Sequence, residues 1–416
     1  MRSLLLFAVL FHVQLHGQAT RVLFIGNSYT YSNDLPGMFT QLSASLGEPV
    51  ETAMVAPGGY TFQGHTTYAA TQSAIAEGNW DVVVLQEQSQ RPAFSPAQVE
   101  QEVYPYATLL TQQIHAVDPC TEVVFLMTWG REDGDAQNCI AYPPVCTYDG
   151  MQQRLRDSYV EMAVDNSAWC APVGAVWRAF RMAEPGIGLY TDGSHPNAAG
   201  SYIAATTLFS TVFRRSSTPS TFAPAAVPVE LAADIRTLAS SVVADSASVW
   251  NIGINDPIAT ADVNMLDGLT VLFANNTMGA VQQEWTFGDG NSSADADPMH
   301  TYGAPGIYTA SLAVVDACGR TDTLWFTVDL STATGVDTES GAKPIPEVRV
   351  TIDHIEVTGI STPSTFQLMD AVGRTLSQQV LPTDRTSKID LPHRSVGSYL
   401  WIIKGSNGAV HSGKFL

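Results

Sequence analysis

From Arg21 to about Asn251 the chain alternates short, uninterrupted apolar runs with stretches of helical spacing, and few folds accommodate that alternation. Val22-Leu23-Phe24-Ile25 has no polar position, as expected of a strand buried on both faces. Leu35, Phe39, Leu42 and Leu46 follow at helical spacing, with Asn33 or Asp34 as the cap, Pro36 in the first turn and Gly47 as the stop. The same reading predicts strands over 50–56, 81–85, 122–127 and 171–176, and helices near 66–77, 96–115, 150–168, 197–213 and 228–249. Such strands, separated by helices, build a parallel sheet covered on both faces. Ligands of these sheets bind beyond the carboxyl ends of the strands, which directs the search for chemistry to the loops that follow them.

The pattern changes near Asp256. Over 257–330 the apolar runs are short and alternating, as in Gln283-Glu284-Trp285-Thr286-Phe287, and Gly and Asp turns are frequent, which predicts an antiparallel β-sandwich. Residues 331–346, rich in Ser, Thr, Gly and Pro, read as a linker, and 347–416 as a second small β domain. A length of 416 residues suits two or three domains rather than one. Lys+Arg 20 against Asp+Glu 40 gives a net charge of -20, which argues against nucleic acid or an anionic lipid surface as the main partner.

Arg2, the apolar run from Leu4 to Phe11 and Gly17-Gln18-Ala19 together read as a secretory signal peptide, residues 1–19. The run is much shorter than the ~20 residues of a membrane span. No later segment is apolar enough to anchor the mature chain. Export makes disulfides plausible for the five cysteines. Cys139 and Cys146 bracket a short Pro-containing segment and are expected to staple it. Cys120 and Cys170 each precede a predicted strand and are candidates to pair, and Cys318, in another region, is expected to stay reduced. No Cys-x-x-Cys pair or His-Cys cluster points to a metal.

Two places carry chemistry. Gly26-Asn27-Ser28 puts a hydroxyl on the turn directly after the first strand. Asp192-Gly193-Ser194-His195-Pro196-Asn197 puts an imidazole and a carboxylate just before a helix. A serine hydroxyl needs a neighbouring base to become a nucleophile. His195 is the candidate base, and Asp192 the group that would hold its other ring nitrogen. Each motif alone is ordinary, the first as an α/β turn and the second as a helix cap. Together with its context, Ile25-Gly26-Asn27-Ser28-Tyr29-Thr30 with Asp192-Gly193-Ser194-His195-Pro196 resembles the SGNH (GDSL-like) esterase/lipase superfamily over residues 20–253.

That resemblance implies a flavodoxin-like α/β/α fold and a serine hydrolase of esters that needs no cofactor. It implies Ser28 as nucleophile, His195 as base and Asp192 as its orienting partner. An oxyanion hole would then be formed by the N–H groups of Ser28 and Gly59, the latter in Ala56-Pro57-Gly58-Gly59, with a side-chain amide after the third strand. There the superfamily's Gly-x-Asn-Asp is replaced by Gln86-Glu87-Gln88-Ser89, so Gln88 would supply the amide, with Gln86 as its rival. Asn27, Gln86, Trp129 and Arg131 are candidate substrate contacts, with a packing role for Trp129 and a pairing of Arg131 to Glu132, Asp133 or Asp135 as the alternatives. His65 is expected on a helix surface.

Trp285-Thr286-Phe287-Gly288-Asp289-Gly290 with His300-Thr301-Tyr302 resembles the PKD domain, an immunoglobulin-like sandwich, over 257–330. The resemblance implies a spacer or a binding module, with His300 as a framework residue. The segment with Asp370-Ala371-Val372-Gly373-Arg374 and Gly397-Ser398-Tyr399-Leu400 resembles the C-terminal sorting domain of type IX secretion cargo. It implies that 347–416 engages that machinery and that the protein is released or held at the cell surface. The whole reads as a secreted esterase whose substrate is an ester, an acylated polysaccharide being the candidate. The alternative is a non-catalytic or weakly catalytic carbohydrate-binding adhesion protein on the same scaffold.

Overall fold

Five strands form one sheet in the order β2-β1-β3-β4-β5, where β1 is Thr20–Ile25, β2 Val50–Val55, β3 Val82–Leu85, β4 Glu122–Leu126 and β5 Trp169–Ala171. The computed structural model describes residues 19–331, 346–350, 354–370, 375–383, 385–390, 399–406 and 410–415. The expected signal peptide up to residue 18, most of the linker, and the 371–374 and 397–398 parts of the C-terminal motif lie outside them. β1 runs parallel to both β2 and β3, with Val22 opposite Thr52 and Val82, and β3 runs parallel to β4. Val22 to Ile25 and Val83 have no exposure, which explains why these strands carry no alternation. The parallel sheet and its strand order match the flavodoxin-like expectation. The order reverses between β1 and β3, so a crevice opens at the carboxyl ends of those two strands, where Ser28 and Gln88 lie.

The expected strand 171–176 is corrected. β5 ends at Ala171, Pro172 follows, and Val173–Ala183 is helical. Val173, Val176, Trp177 and Phe180 are buried at i, i+3, i+4 and i+7, a helical stripe that an apolar run conceals when only hydropathy is read. The predicted helix over 96–115 is two helices, Pro96–Glu102 and Tyr104–Val117, interrupted at Val103. Pro105 lies in the first turn of the second, where its missing N–H costs no helical bond. The helix expected near 66–77 is likewise Phe62–His65 followed by Ala69–Glu77.

The chain divides into two compact units, Met1–Ser158 with Ala171–Val242, and Tyr159–Cys170 with Val243–Leu416. In the second unit β6 (Ala261–Asp267), β7 (Thr270–Asn275), β8 (Ala280–Thr286), β9 (Ser292–Ser293), β10 (Met299–Thr301), β11 (Ile307–Asp316) and β12 (Thr321–Asp329) form two sheets, β10-β7-β6 and β12-β11-β8-β9. They bury Phe273, Trp285, Phe287 and Tyr302 between them. His300 stacks on Phe287 at 4.1 Å and its Nε2 lies 2.8 Å from Asp289 Oδ2, so it braces the Gly288-Asp289-Gly290 turn. The C-terminal strands form two further antiparallel sheets around Ile355, Val357, Phe366, Leu368 and Ile403.

Cys139 and Cys146 form the expected local disulfide. Cys170 is buried and forms no disulfide among the described residues, against the expectation that it joins Cys120, and Cys318 is disulfide-bonded rather than reduced. Spacing along the chain carries no information about such pairings.

Candidate active site

Ser28 opens a short helix, Ser28–Tyr31, three residues after the end of β1. The turn leading to it is built by side chains from distant parts of the first unit. Asn27 caps the helix through Oδ1, which accepts from Tyr29 N, while its Nδ2 donates to Tyr60 O and its own N–H donates to Gln86 Oε1. A Cβ on Gly26 would run into Thr30 Oγ1 and Gln86 Oε1, so only glycine admits this approach. His65, expected at a surface, is instead fully buried behind the turn. Its Nε2 donates to Gly26 O at 2.8 Å, and its Nδ1 therefore accepts from Thr71 Oγ1 at 2.7 Å. Burial holds its pKa below the usual imidazole range, which keeps the ring neutral in that tautomer.

His195 reaches this turn from the loop before the helix Ala198–Val212. Its Nε2 is 2.9 Å from Ser28 Oγ, and its Nδ1 is 2.8 Å from Asp192 Oδ2. Asp192 Oδ1 accepts from the backbone N–H of His195 at 2.7 Å and of Ser194 at 3.0 Å. Those two backbone bonds and the imidazole hold the Asp192 carboxyl at about 2, so it is ionised at any working pH. The three residues are thus joined in one hydrogen-bonded chain across 167 positions of sequence.

A column of aromatic rings supports both ends of that chain. Tyr29 stacks on Trp129 at 4.7 Å, and Trp129 on Trp177 at 4.1 Å, each pair within 4° of parallel. Tyr190 meets Trp177 edge-on. Trp129 Nε1 donates to Ser194 O, and Tyr29 and Ser194 share a hydroxyl contact of 2.6 Å. Trp129 is therefore buried beneath the His195 loop and makes no part of the cavity wall.

The cavity at this crevice holds about 330 Å³, with Ser28, His195, Gly59, Gln88 and Arg131 in its wall. Gly59 has φ +71, a conformation that favours glycine. Gln88 Oε1 accepts from Gln90 N at 2.9 Å and Arg91 N at 3.3 Å, while one hydrogen of its Nε2 goes to Gln90 Oε1 at 3.2 Å. An amide nitrogen carries two hydrogens, which leaves a second for the cavity. Gln86 is fully buried and occupied by Asn27 N, Thr30 Oγ1 and Glu87 O, so it serves the turn instead. Asn27 borders the cavity with its side chain already committed to Tyr60 and Tyr29.

Glu87, not singled out by the sequence, ties the two loops that flank Gln88 and Gly59. Its Oε2 accepts from Phe62 N at 2.9 Å and its Oε1 from Gln88 N at 2.5 Å. Burial pushes its pKa up to about 7, although these N–H groups and Arg91 pull the other way. The folded protein thus holds the Glu87 proton more tightly than the unfolded chain, with its ordinary value of 4.5, and the residue's contribution to stability declines as pH rises from 4.5 to about 7. Glu87→Gln cannot ionise. Its stability relative to the native protein is expected to rise over that window by on the order of 3 kcal/mol and then level off. Chemical denaturation at a series of pH values checks this, and parallel profiles would refute it.

The chain is 32% identical to a solved protein from Slackia heliotrinireducens assigned to the SGNH hydrolases, covering 46% of this chain and 97% of that one with a TM-score of 0.39. Residues 254–329 match the family model of the PKD domain. The chain is also 34% identical to the PKD1 domain of Vibrio anguillarum Epp, covering 18% of this chain and 94% of that one, with a TM-score of 0.18. A microbial collagenase of Vibrio alginolyticus is 46% identical over 54 residues, 13% of this chain. The chain spans 7% and 4% of the length of the curated relatives it matches.

Proposed function

We propose that the chain is a serine esterase acting through an acyl-enzyme, with Ser28, His195 and Asp192 as its triad. The observation that carries this reading is the continuous hydrogen-bonded chain from Ser28 Oγ through the imidazole to the Asp192 carboxylate. Nε2 lies where it can take the hydroxyl proton as Oγ attacks the ester carbonyl carbon. The developing oxyanion is held by the N–H groups of Ser28 and Gly59 and the free amide hydrogen of Gln88, each such donor being worth about 100- to 1000-fold in rate. The imidazolium, stabilised by Asp192, then protonates the leaving alcohol. A water deprotonated by His195 attacks the acyl-enzyme, releases the acid and restores Ser28.

The substrate is proposed to be an acyl ester of an extracellular polysaccharide. The support is the attached PKD domain, matched over residues 254–329, together with the signal-peptide reading of residues 1–19 and the sorting-domain reading of 347–416. Among the described residues no helix is long and apolar enough to cross a membrane. Hydrolysis of p-nitrophenyl acetate by the full chain and by Ser28→Ala tests the reaction. The variant is expected to lose at least about 1000-fold in kcat, and equal rates would remove the esterase reading.

A further inference from the structure

The wall of the cavity is asymmetric in charge. Among the described residues lining it there is no carboxylate, whereas Arg131 contributes a guanidinium, in a protein whose net charge is -20. That guanidinium is only partly used. Its NH1 lies 3.3 Å from Asp135 Oδ1, longer than the 2.7–2.9 Å usual for a charge-assisted bond, and its Nε is buried with no hydrogen-bond partner among the described residues. An arginine side chain carries five N–H donors; NH2 makes no hydrogen bond among the described residues and the side chain keeps 27% of its surface exposed, so the guanidinium tip retains donors that a ligand in the cavity can meet.

Asp135 orients Arg131 without consuming it. Its carboxylate is fully buried and accepts shorter bonds from Asn138 Nδ2 at 2.7 Å and Gln90 Nε2 at 2.8 Å, besides Gln137 N at 3.2 Å. Its backbone N–H is fixed to Val145 O at 2.7 Å, beside the Cys139–Cys146 disulfide. Gln90 in turn accepts from Gln88, so one buried acid sets the positions of both the guanidinium and the amide in the cavity wall.

We infer that Arg131 receives a carboxylate of the substrate, so that the preferred esters are those carrying an anionic group near the scissile bond. The inference rests on the esterase reading of the same cavity and narrows its substrate class. The carboxylate can belong to the acyl part or to an acidic sugar on the alcohol part. The fork of a guanidinium meets it with two parallel N–H donors, which lysine cannot reproduce.

Two pairs of substrates for the full chain separate these sources. 4-Nitrophenyl hemisuccinate against 4-nitrophenyl acetate reports an acyl-side carboxylate, and acetylated galacturonate oligomers against acetylated xylo-oligosaccharides report an alcohol-side one. In at least one pair kcat/KM of the native protein is expected to favour the anionic ester about tenfold or more, as for a hydrogen bond to a charged group. Arg131→Gln should lower kcat/KM for that ester about tenfold further than for its neutral partner, with Arg131→Lys recovering only part of the difference. Equal losses on charged and neutral esters, or no preference in either pair, would overturn the inference. A turnover-independent arm uses Ser28→Ala titrated with galacturonate or succinate, against galactose or succinamide, with and without Arg131→Gln. Carboxylate-dependent binding that vanishes with Arg131 supports the site even if no ester is cleaved, and its absence in that case refutes it.

Discussion

Asp192→Asn is expected to lower kcat for an activated ester by about 10,000-fold while the thermal midpoint changes little. The reason is a forced exchange of tautomer. Asp192 Oδ1 accepts two backbone N–H groups, from Ser194 and His195, and an asparagine carbonyl can do the same, so the turn survives. The asparagine NH2 is then directed at His195 Nδ1, which must accept. The ring proton moves to Nε2, the atom facing Ser28 Oγ at 2.9 Å. A protonated Nε2 cannot take the serine proton, and the imidazolium would also lose the carboxylate that stabilises it. Steady-state kinetics with p-nitrophenyl acetate, paired with thermal unfolding, checks this outcome. A loss below about tenfold would show that Asp192 does not set the tautomer.

Trp129→Ala is expected to cost about 3–5 kcal/mol, the range for removing a large buried aromatic side chain. For a unit of this size that lowers the midpoint of thermal unfolding by roughly 10 °C. Activity should fall as well, by about 100-fold, because Trp129 supports both halves of the site. Its ring carries Tyr29, the neighbour of Ser28, and its indole N–H holds Ser194 O, the neighbour of His195. Trp129→Phe keeps a ring between Tyr29 and Trp177 but loses the donor, so it should fall between the two. A thermal loss with undiminished kcat would confine Trp129 to packing.

The elements legible in the sequence were those governed by local pattern. β1, β3 and β4 are uninterrupted apolar runs flanked by turn residues, and each forms where its run lies. The boundary after β5 is not legible because Val173 and Val176 are apolar on a helix as readily as on a strand, and the deciding period extends to Phe180. Ser28, His195 and Asp192 stood out because each sits in a short motif at a strand end or a helix start. His65 and Glu87 were not legible. The first is a solitary histidine whose partner, Gly26 O, lies 39 residues away, and the second acts through N–H groups of Phe62 and Gln88 that no spacing announces. Local sequence identifies groups with chemistry, whereas their burial and partners follow from long-range packing.

The role of Ser28 is tested most directly by reaction of the full chain with a fluorophosphonate, followed by peptide mapping by mass spectrometry. A single adduct on Ser28 is expected, forming far more slowly in His195→Ala because the hydroxyl then has no base. An unmodified Ser28 in protein that still hydrolyses esters, or an adduct on another serine, would contradict the assignment.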